Sequence, residues 1–290
     1  MAASRAMIPA LLLALQAAPA AAPLPSDPIA ADWRPIPNDE LLVMTLAGGR
    51  TVVIRLAPRY APEHVANVRR LALAHWWDGT SVYRVQDNWV AQWGGAPTDA
   101  EEKLLPDGVA KRPAAEYDAP TLVPAQTLAK PDAYSTVSGV TADGWAFAGD
   151  GRTRWLAHCY ATVGVARDAA PDTGSGGELF AMIGGAGRRL DRNYTVVGRV
   201  IEGMPFLSAL PRSAAPMGMY ASAGERTPIL SVRLASELPP ATRPQFEYRA
   251  ADNPRFAAMI AARAHPTTGV ALGGIDVCDV PLAVRRVAAR

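Results

Sequence analysis

Apolar residues arrive along this chain in short bursts separated by turn residues. Leu41-Leu-Val-Met-Thr-Leu46 and Thr51-Val-Val-Ile-Arg-Leu56 flank Ala-Gly-Gly-Arg, which predicts a β-hairpin. Pro62 suits the first turn of a helix and Glu63 its positive end. Ala61, Val65, Val68 and Ala72 then recur at helical spacing, with Leu71 beside them, and the helix is expected to end near His75-Trp76-Trp77. Asp78-Gly79 turns the chain into Val82–Gly95, which reads as two strands joined at Asp87-Asn88. Further strand patterns lie at Leu156–Val165, Leu179–Ile183, Tyr194–Ile201 and Ile229–Leu234, with a short helix over Met204–Leu210. Many short strands and few helices predict a mainly β fold, a barrel or sandwich with helical caps.

Three segments break that pattern. Pro23–Asn38 is rich in proline and alanine and reads as a linker. Residues 97–157 carry prolines and small polar residues without sustained periodicity. They are expected to be long loops with a short hairpin near Gly144–Gly151. Beyond Glu237, Pro239-Pro240 and Pro244 mark a boundary before Arg255–Ala264, whose composition is helical and which Pro266 should stop.

Composition narrows the classes. With 49% apolar and 19% charged residues among 290, the chain can build a packed core. A formal net charge of +2 without a basic patch argues against a nucleic-acid partner. The first 22 residues have the layout of a secretory signal peptide: Arg5, an apolar run from Met7 to Leu15, then small residues with cleavage near Ala20 or Ala22. That run is too short to span a bilayer, so an exported protein without a membrane span is expected. Cys159 and Cys278 either pair as a disulfide or stay separate as buried thiols. Two cysteines and four histidines give no zinc-like spacing, and no metal is expected.

The chemistry begins with two misplaced polar residues. Arg84 sits among Val82, Tyr83 and Val85, and Gln92 between Ala91 and Trp93. Polar groups in such runs need partners. Taken singly, Arg84 is an ordinary ion-pair partner, Trp89 and Phe180 are core residues, and Tyr194 is structural. His158 and Cys159 read as residues packed next to a strand. Gly174-Ser175-Gly176-Gly177 is not a nucleophile elbow, because Thr173 occupies the first glycine position.

Five ordered segments change that reading. They are Ala61-Pro62 with Asn67 and Leu71; Tyr83-Arg84-Val85 with Trp89-Val90-Ala91-Gln92-Trp93-Gly94-Gly95; Pro113-Ala-Ala-Glu-Tyr117; Val163-Gly-Val-Ala-Arg167 with Pro171-Asp172-Thr173 and Glu178-Leu179-Phe180; and Leu190-Asp191 with Tyr194–Val200 and Glu202-Gly203-Met204. Together they resemble the cyclophilin-type peptidyl-prolyl cis-trans isomerases over Leu41–Glu237. The resemblance implies an eight-stranded antiparallel β-barrel capped by two helices, occupying residues 39–238. It leaves an insert at about 118–155, and the composition beyond it leaves a C-terminal helical extension over 239–290. The resemblance also implies that Arg84 is the catalytic arginine and that Gln92 holds it and the substrate. Trp89, Val90, Phe180, Leu190 and Tyr194 would line the proline pocket, and Ala166 and Arg167 would meet the peptide backbone.

Several positions depart from the family pattern. Trp89 stands where phenylalanine is usual, Val90 where methionine is frequent, Tyr194 where histidine is frequent, and Arg189 where many members carry tryptophan. Glu178 departs most, since glutamine is usual there. A carboxylate at 178 can pair with Arg84, fix its geometry and compete for its donors.

The implied reaction needs no cofactor. An X-Pro bond turns over a barrier of ~18–20 kcal/mol without any bond breaking. A site complementary to the twisted amide suffices. The expected protein is therefore a monomeric, periplasmic isomerase acting on proline bonds of unfolded or extended polypeptides. The alternatives are a cyclophilin-like module that binds peptides with little turnover, and a scaffold whose insert and tail bind a partner.

Overall fold

The computed structural model describes residues 26–95, 103–267 and 272–287, so the leader over residues 1–22 lies outside the described residues. In chain order the regular elements begin with β1 (Trp33–Pro35), β2 (Leu41–Leu46), β3 (Arg50–Leu56), α1 (Pro62–Leu73), β4 (Ser81–Val85) and β5 (Val90–Gly94). There follow β6 (Pro124–Thr127), β7 (Val137–Thr141), β8 (Ala146–Gly149), β9 (Arg154–Leu156), β10 (Thr162–Val165), β11 (Leu179–Met182) and β12 (Val196–Glu202). The chain continues through α2 (Met204–Ser208), β13 (Thr227–Leu234), β14 (Gln245–Arg249), α3 (Pro254–Ala264) and β15 (Val284–Val287).

Eight of these strands close into an antiparallel barrel in the order β10-β11-β5-β4-β13-β2-β3-β12. The predicted first hairpin is β2–β3, in register from Leu41↔Arg55 to Leu46↔Arg50. Its inward residues Leu42, Met44, Leu46, Val52, Ile54 and Leu56 belong to the main core. α1 adds Val65, Val68 and Leu71 to that core and α2 adds Met204 and Leu207, so both helices pack on the barrel. The mainly β, eight-stranded barrel expected from the resemblance is the observed fold.

α1 also positions the segment that leads into the site. Its first turn is capped from a distance: the Glu63 and His64 N–H groups donate to the Glu116 carboxylate at 2.8 and 3.0 Å. A carboxylate at a helix N-terminus satisfies orphan donors and complements the dipole. On the buried face of α1, Asn67 Nδ2 donates to the Ala110 and Ser175 carbonyls, both at 2.8 Å. His64 Nε2 lies 3.2 Å from the Thr173 carbonyl, and Trp77 Nε1 donates to the Gly177 carbonyl at 2.8 Å. Three buried side chains thus fix residues 173–177 immediately before β11.

Residues 97–157, expected as loops with one hairpin, hold the four-stranded sheet β6-β7-β8-β9. The sequence hid it for a physical reason. Its strands are three to five residues long, and the central pair, β7 and β8, is buried on both faces, so neither length nor alternation marks them. Trp145, Phe147 and Leu156 turn toward Tyr60 and Val196 of the barrel side, while Val140, Ala146 and Ala157 turn toward Phe256 and Met259 of α3.

The two flanking segments also differ from expectation. Trp33–Pro35, placed in a linker, pairs with β14, which pairs in turn with β15. Among the described residues the C-terminal extension therefore holds two strands and one α-helix. Cys159 and Cys278 are joined as a disulfide, with Cα atoms 5.1 Å apart, tying the extension to the chain that enters β10. Asn253 caps α3, its side chain accepting from the Phe256 N–H at 3.0 Å. Asn253→Ala is expected to cost about 1 kcal/mol, read as a lowered urea midpoint.

Candidate active site

The site is built on the outer face of β4, β5 and β11. A register shift between Val82 and Arg84 sets its geometry. Val82 and Val85 both enter the main core, so the two residues between them, Tyr83 and Arg84, both lie outside it. A regular strand alternates faces; one extra residue puts two neighbours on the same side. Gln92 pairs with Arg84 across β4–β5 and with Phe180 across β5–β11, which brings all four side chains together.

Each nitrogen of the Arg84 guanidinium donates one hydrogen bond, which leaves one N–H on each Nη free. Its Nη1 donates to Gln92 Oε1 at 2.9 Å, its Nη2 to Gln86 Oε1 at 2.7 Å, and its Nε to the Met217 carbonyl at 2.7 Å. Met217 belongs to a segment laid against β4 by the Ser213 and Tyr220 N–H groups, which donate to the Val85 and Tyr83 carbonyls at 3.2 and 3.0 Å. These acceptors hold the guanidinium half-buried in one orientation, and burial pushes its pKa down.

Glu178 is not paired with Arg84, contrary to the pairing considered from the sequence. Gln92 Nε2 donates to the Tyr83 hydroxyl, and that hydroxyl donates to Glu178 Oε2 at 2.5 Å. Two residues therefore separate the carboxylate from the arginine in a chain running Glu178–Tyr83–Gln92–Arg84. The reason is local: Glu178 points inward over Gly94, where a Cβ would lie 2.5 Å from its carboxyl carbon. Burial pushes the Glu178 carboxyl above the ordinary glutamate value, to about 7, opposed by the hydrogen bonds from Tyr83 and the Gly95 backbone. Burial and the nearby carboxylate push the Tyr83 phenol up, so it remains a donor.

The expected pocket residues come together. Val90, Phe180 and Met182 form a buried apolar cluster against which Trp89, Ala166, Leu190 and Tyr194 pack. Phe180 lies edge-on to Tyr194 with ring centroids 5.7 Å apart and is stacked on His158 at 6.2 Å. Gly164 makes room for it, since a Cβ there would lie 2.3 Å from the ring. Trp89 borders an open cleft beside Arg84, Arg189 and Met217. Arg167 is held by the Asn193 carbonyl at 3.0 Å and lies over the Tyr194 ring at 4.8 Å. The Ala166 N–H donates to the Glu178 carbonyl at 2.9 Å, so that group is unavailable to a peptide.

Tyr83, Met182, Gly164 and Met217 were not assigned roles from the sequence. A tyrosine beside an arginine on a strand signals opposite faces, and only the bulge reverses that. Met217 is brought in by a carbonyl, which carries no side-chain signature.

A closed antiparallel barrel with a fixed guanidinium beside an aromatic-lined apolar patch defines a peptide-handling protein of the prolyl isomerase class. The sequence profile described as "Cyclophilin type peptidyl-prolyl cis-trans isomerase/CLD" matches residues 41–234, and the chain belongs to that family. Among solved structures it is similar to cyclophilin AquaCyp293 from Hirschia baltica, with 25% identity, a TM-score of 0.67, and coverage of 89% of this chain and 94% of that one. This coverage runs beyond the family profile into the flanking segments. A cyclophilin-type isomerase of Cryptosporidium parvum, crystallised in the presence of the dipeptide Ala-Pro, is 12% identical with a TM-score of 0.41, covering 67% of this chain and 98% of that one. No curated protein sequence matches the chain.

Proposed function

We propose that the protein catalyses cis-trans rotation of X-Pro bonds in unfolded or extended polypeptides, with Arg84 as the catalytic donor. The observation that carries this reading is the orientation of Arg84 by Gln92 beside the Phe180 cluster. In the twisted amide the nitrogen regains a lone pair, which a guanidinium N–H can satisfy; in the planar amide it cannot. An interaction made only in the transition state raises turnover. The apolar cluster receives the proline ring, Trp89 and Tyr194 form its rim, and the backbone at Arg167 meets the peptide. Every acceptor on Arg84 is uncharged, which leaves its positive charge unneutralised for the substrate.

Trp89→Ala removes apolar wall that serves the planar and twisted amides alike. It is expected to raise KM roughly 3- to 10-fold with kcat nearly unchanged. Steady-state isomerisation kinetics check that split.

An exported setting, the periplasm, fits the leader sequence, and the Cys159–Cys278 disulfide supports it, since such bonds persist in oxidising compartments. The second reading is a peptide-binding module with little turnover. Glu178 favours it, because a buried carboxylate there departs from the family pattern. A protease-coupled assay on an Ala-Pro peptide separates the two. A rate above the uncatalysed background that scales with protein concentration supports the enzyme, and saturable peptide binding without acceleration supports the module.

A further inference from the structure

On another face of the barrel, sharing no lining residue with the site above, lies a cavity of about 280 Å³. It is a partly open cavity lined by β12, by the insert sheet at Trp145 and Leu156, and by the extension at Val277, Val280 and Leu282. Most of the lining side chains are apolar; the polar ones are Arg199, Thr162 and Tyr160.

Arg199 stands opposite Arg55 in the β3–β12 register. The two arginines are treated differently. Arg55 donates to the Asp143 carbonyl at 2.8 Å, lies 4.0 Å from Glu40, and sits over the Tyr248 ring at 4.3 Å. Arg199 has no hydrogen bond or salt bridge among the described residues; its Nε is buried without a partner. Its neighbours are the Trp145 ring at 5.9 Å and the like charge of Arg55. Burial and Arg55 push its pKa down, to about 9, so it is still a cation at neutral pH. Arg199 is partly buried, and a guanidinium that keeps a buried Nε without a partner and has no counter-charge beside it carries a desolvation cost. An anion supplied from outside would pair it, and the surrounding wall would take an apolar body.

We propose that this cavity binds a small amphipathic monocarboxylate, with its carboxylate on Arg199 and its hydrocarbon body against Trp145, Val277 and Val280. An apolar cavity of ~150 Å³ takes benzene, so by proportion this one takes about ten non-hydrogen atoms. Octanoate is that size. A planar guanidinium prefers a carboxylate, which it can meet with two hydrogen bonds. The disulfide and Tyr160, which is half exposed, also line the cavity.

The test is calorimetric titration of the full chain with octanoate and with octanol, on the wild type, Arg199→Met and Arg199→Lys. Octanoate should bind the wild type saturably and at least about tenfold more tightly than octanol, the worth of one charge-assisted bond. Arg199→Met should lose that preference and Arg199→Lys should keep part of it. Arg199→Met is expected to fold, since it removes a charge that has no partner. The wild-type comparison stands without it in any case. Equal affinity for octanoate and octanol, no saturable heat with octanoate at about 10 mM, or undiminished octanoate binding by Arg199→Met would each overturn the proposal.

Discussion

Arg84→Ala is expected to lower kcat/KM for an Ala-Pro peptide by about 10- to 150-fold, the worth of a charge-assisted hydrogen bond of roughly 1.5–3 kcal/mol. The loss should fall on kcat, because the planar amide offers no acceptor at nitrogen and gains nothing from the guanidinium. The fold should survive. The groups left behind, Gln92 Oε1, Gln86 Oε1 and the Met217 carbonyl, lie in a half-buried region that water can reach. Arg84→Lys should recover little. A lysine ammonium is a point charge on a flexible stem and cannot be held by three acceptors in one plane. Circular dichroism of both variants, together with their kinetics, separates lost chemistry from lost structure.

Glu178→Gln carries the second large effect, and it is a pH effect. The wild-type carboxyl titrates near pH 7 because burial disfavours its charge. When ionised it can only accept, which fixes the Tyr83 hydroxyl as a donor toward it. Tyr83 then accepts from Gln92 Nε2, and Gln92 turns its carbonyl oxygen to Arg84. When protonated, Glu178 can donate to Tyr83, and the polarity of the whole chain can reverse. The Gln92 amide would then present its N–H groups to a guanidinium. Wild-type kcat/KM should therefore rise roughly 2- to 10-fold between pH 6 and 8, and the Glu178→Gln profile should be flat across that window.

Stability moves the opposite way. Below the unfolded pKa near 4.5 both states hold the proton. Between that value and about 7 the folded state holds it and the unfolded state does not, so wild-type stability falls as pH rises. Above 7 the full cost of the buried charge is present, on the order of 3 kcal/mol. Glu178→Gln should thus be more stable than the wild type at pH 8, and the gap should close toward pH 4.5. Urea midpoints at the two pH values read it directly.

The sequence yielded those parts of the fold whose residues have one wet and one dry side. The β2–β3 hairpin and α1 show their periods plainly because each buries a single face. The insert sheet does not, being covered by the barrel on one side and α3 on the other. Strand β1 is three residues of Trp-Arg-Pro at a sheet edge, and nothing local distinguishes it from a linker. At the site, the residue types at 84, 92, 89, 90, 166, 180, 190 and 194 were legible through family resemblance, and the structure draws them together. The relay was not, because Tyr83 joins it only through the one-residue bulge. The Arg84–Glu178 pairing open from the sequence does not form, since Glu178 lies over Gly94 and meets the Tyr83 phenol that the bulge brings to this face.

Catalysis by Arg84 is tested most directly by cis-trans exchange of an Ala-Pro peptide, measured by two-dimensional NMR at equilibrium with wild type and Arg84→Ala in catalytic amounts. The predicted result is exchange far faster than the uncatalysed rate of tens of seconds with the wild type, and about 10- to 150-fold less acceleration with the variant. Equal acceleration by the two proteins, or none by the wild type, would contradict it.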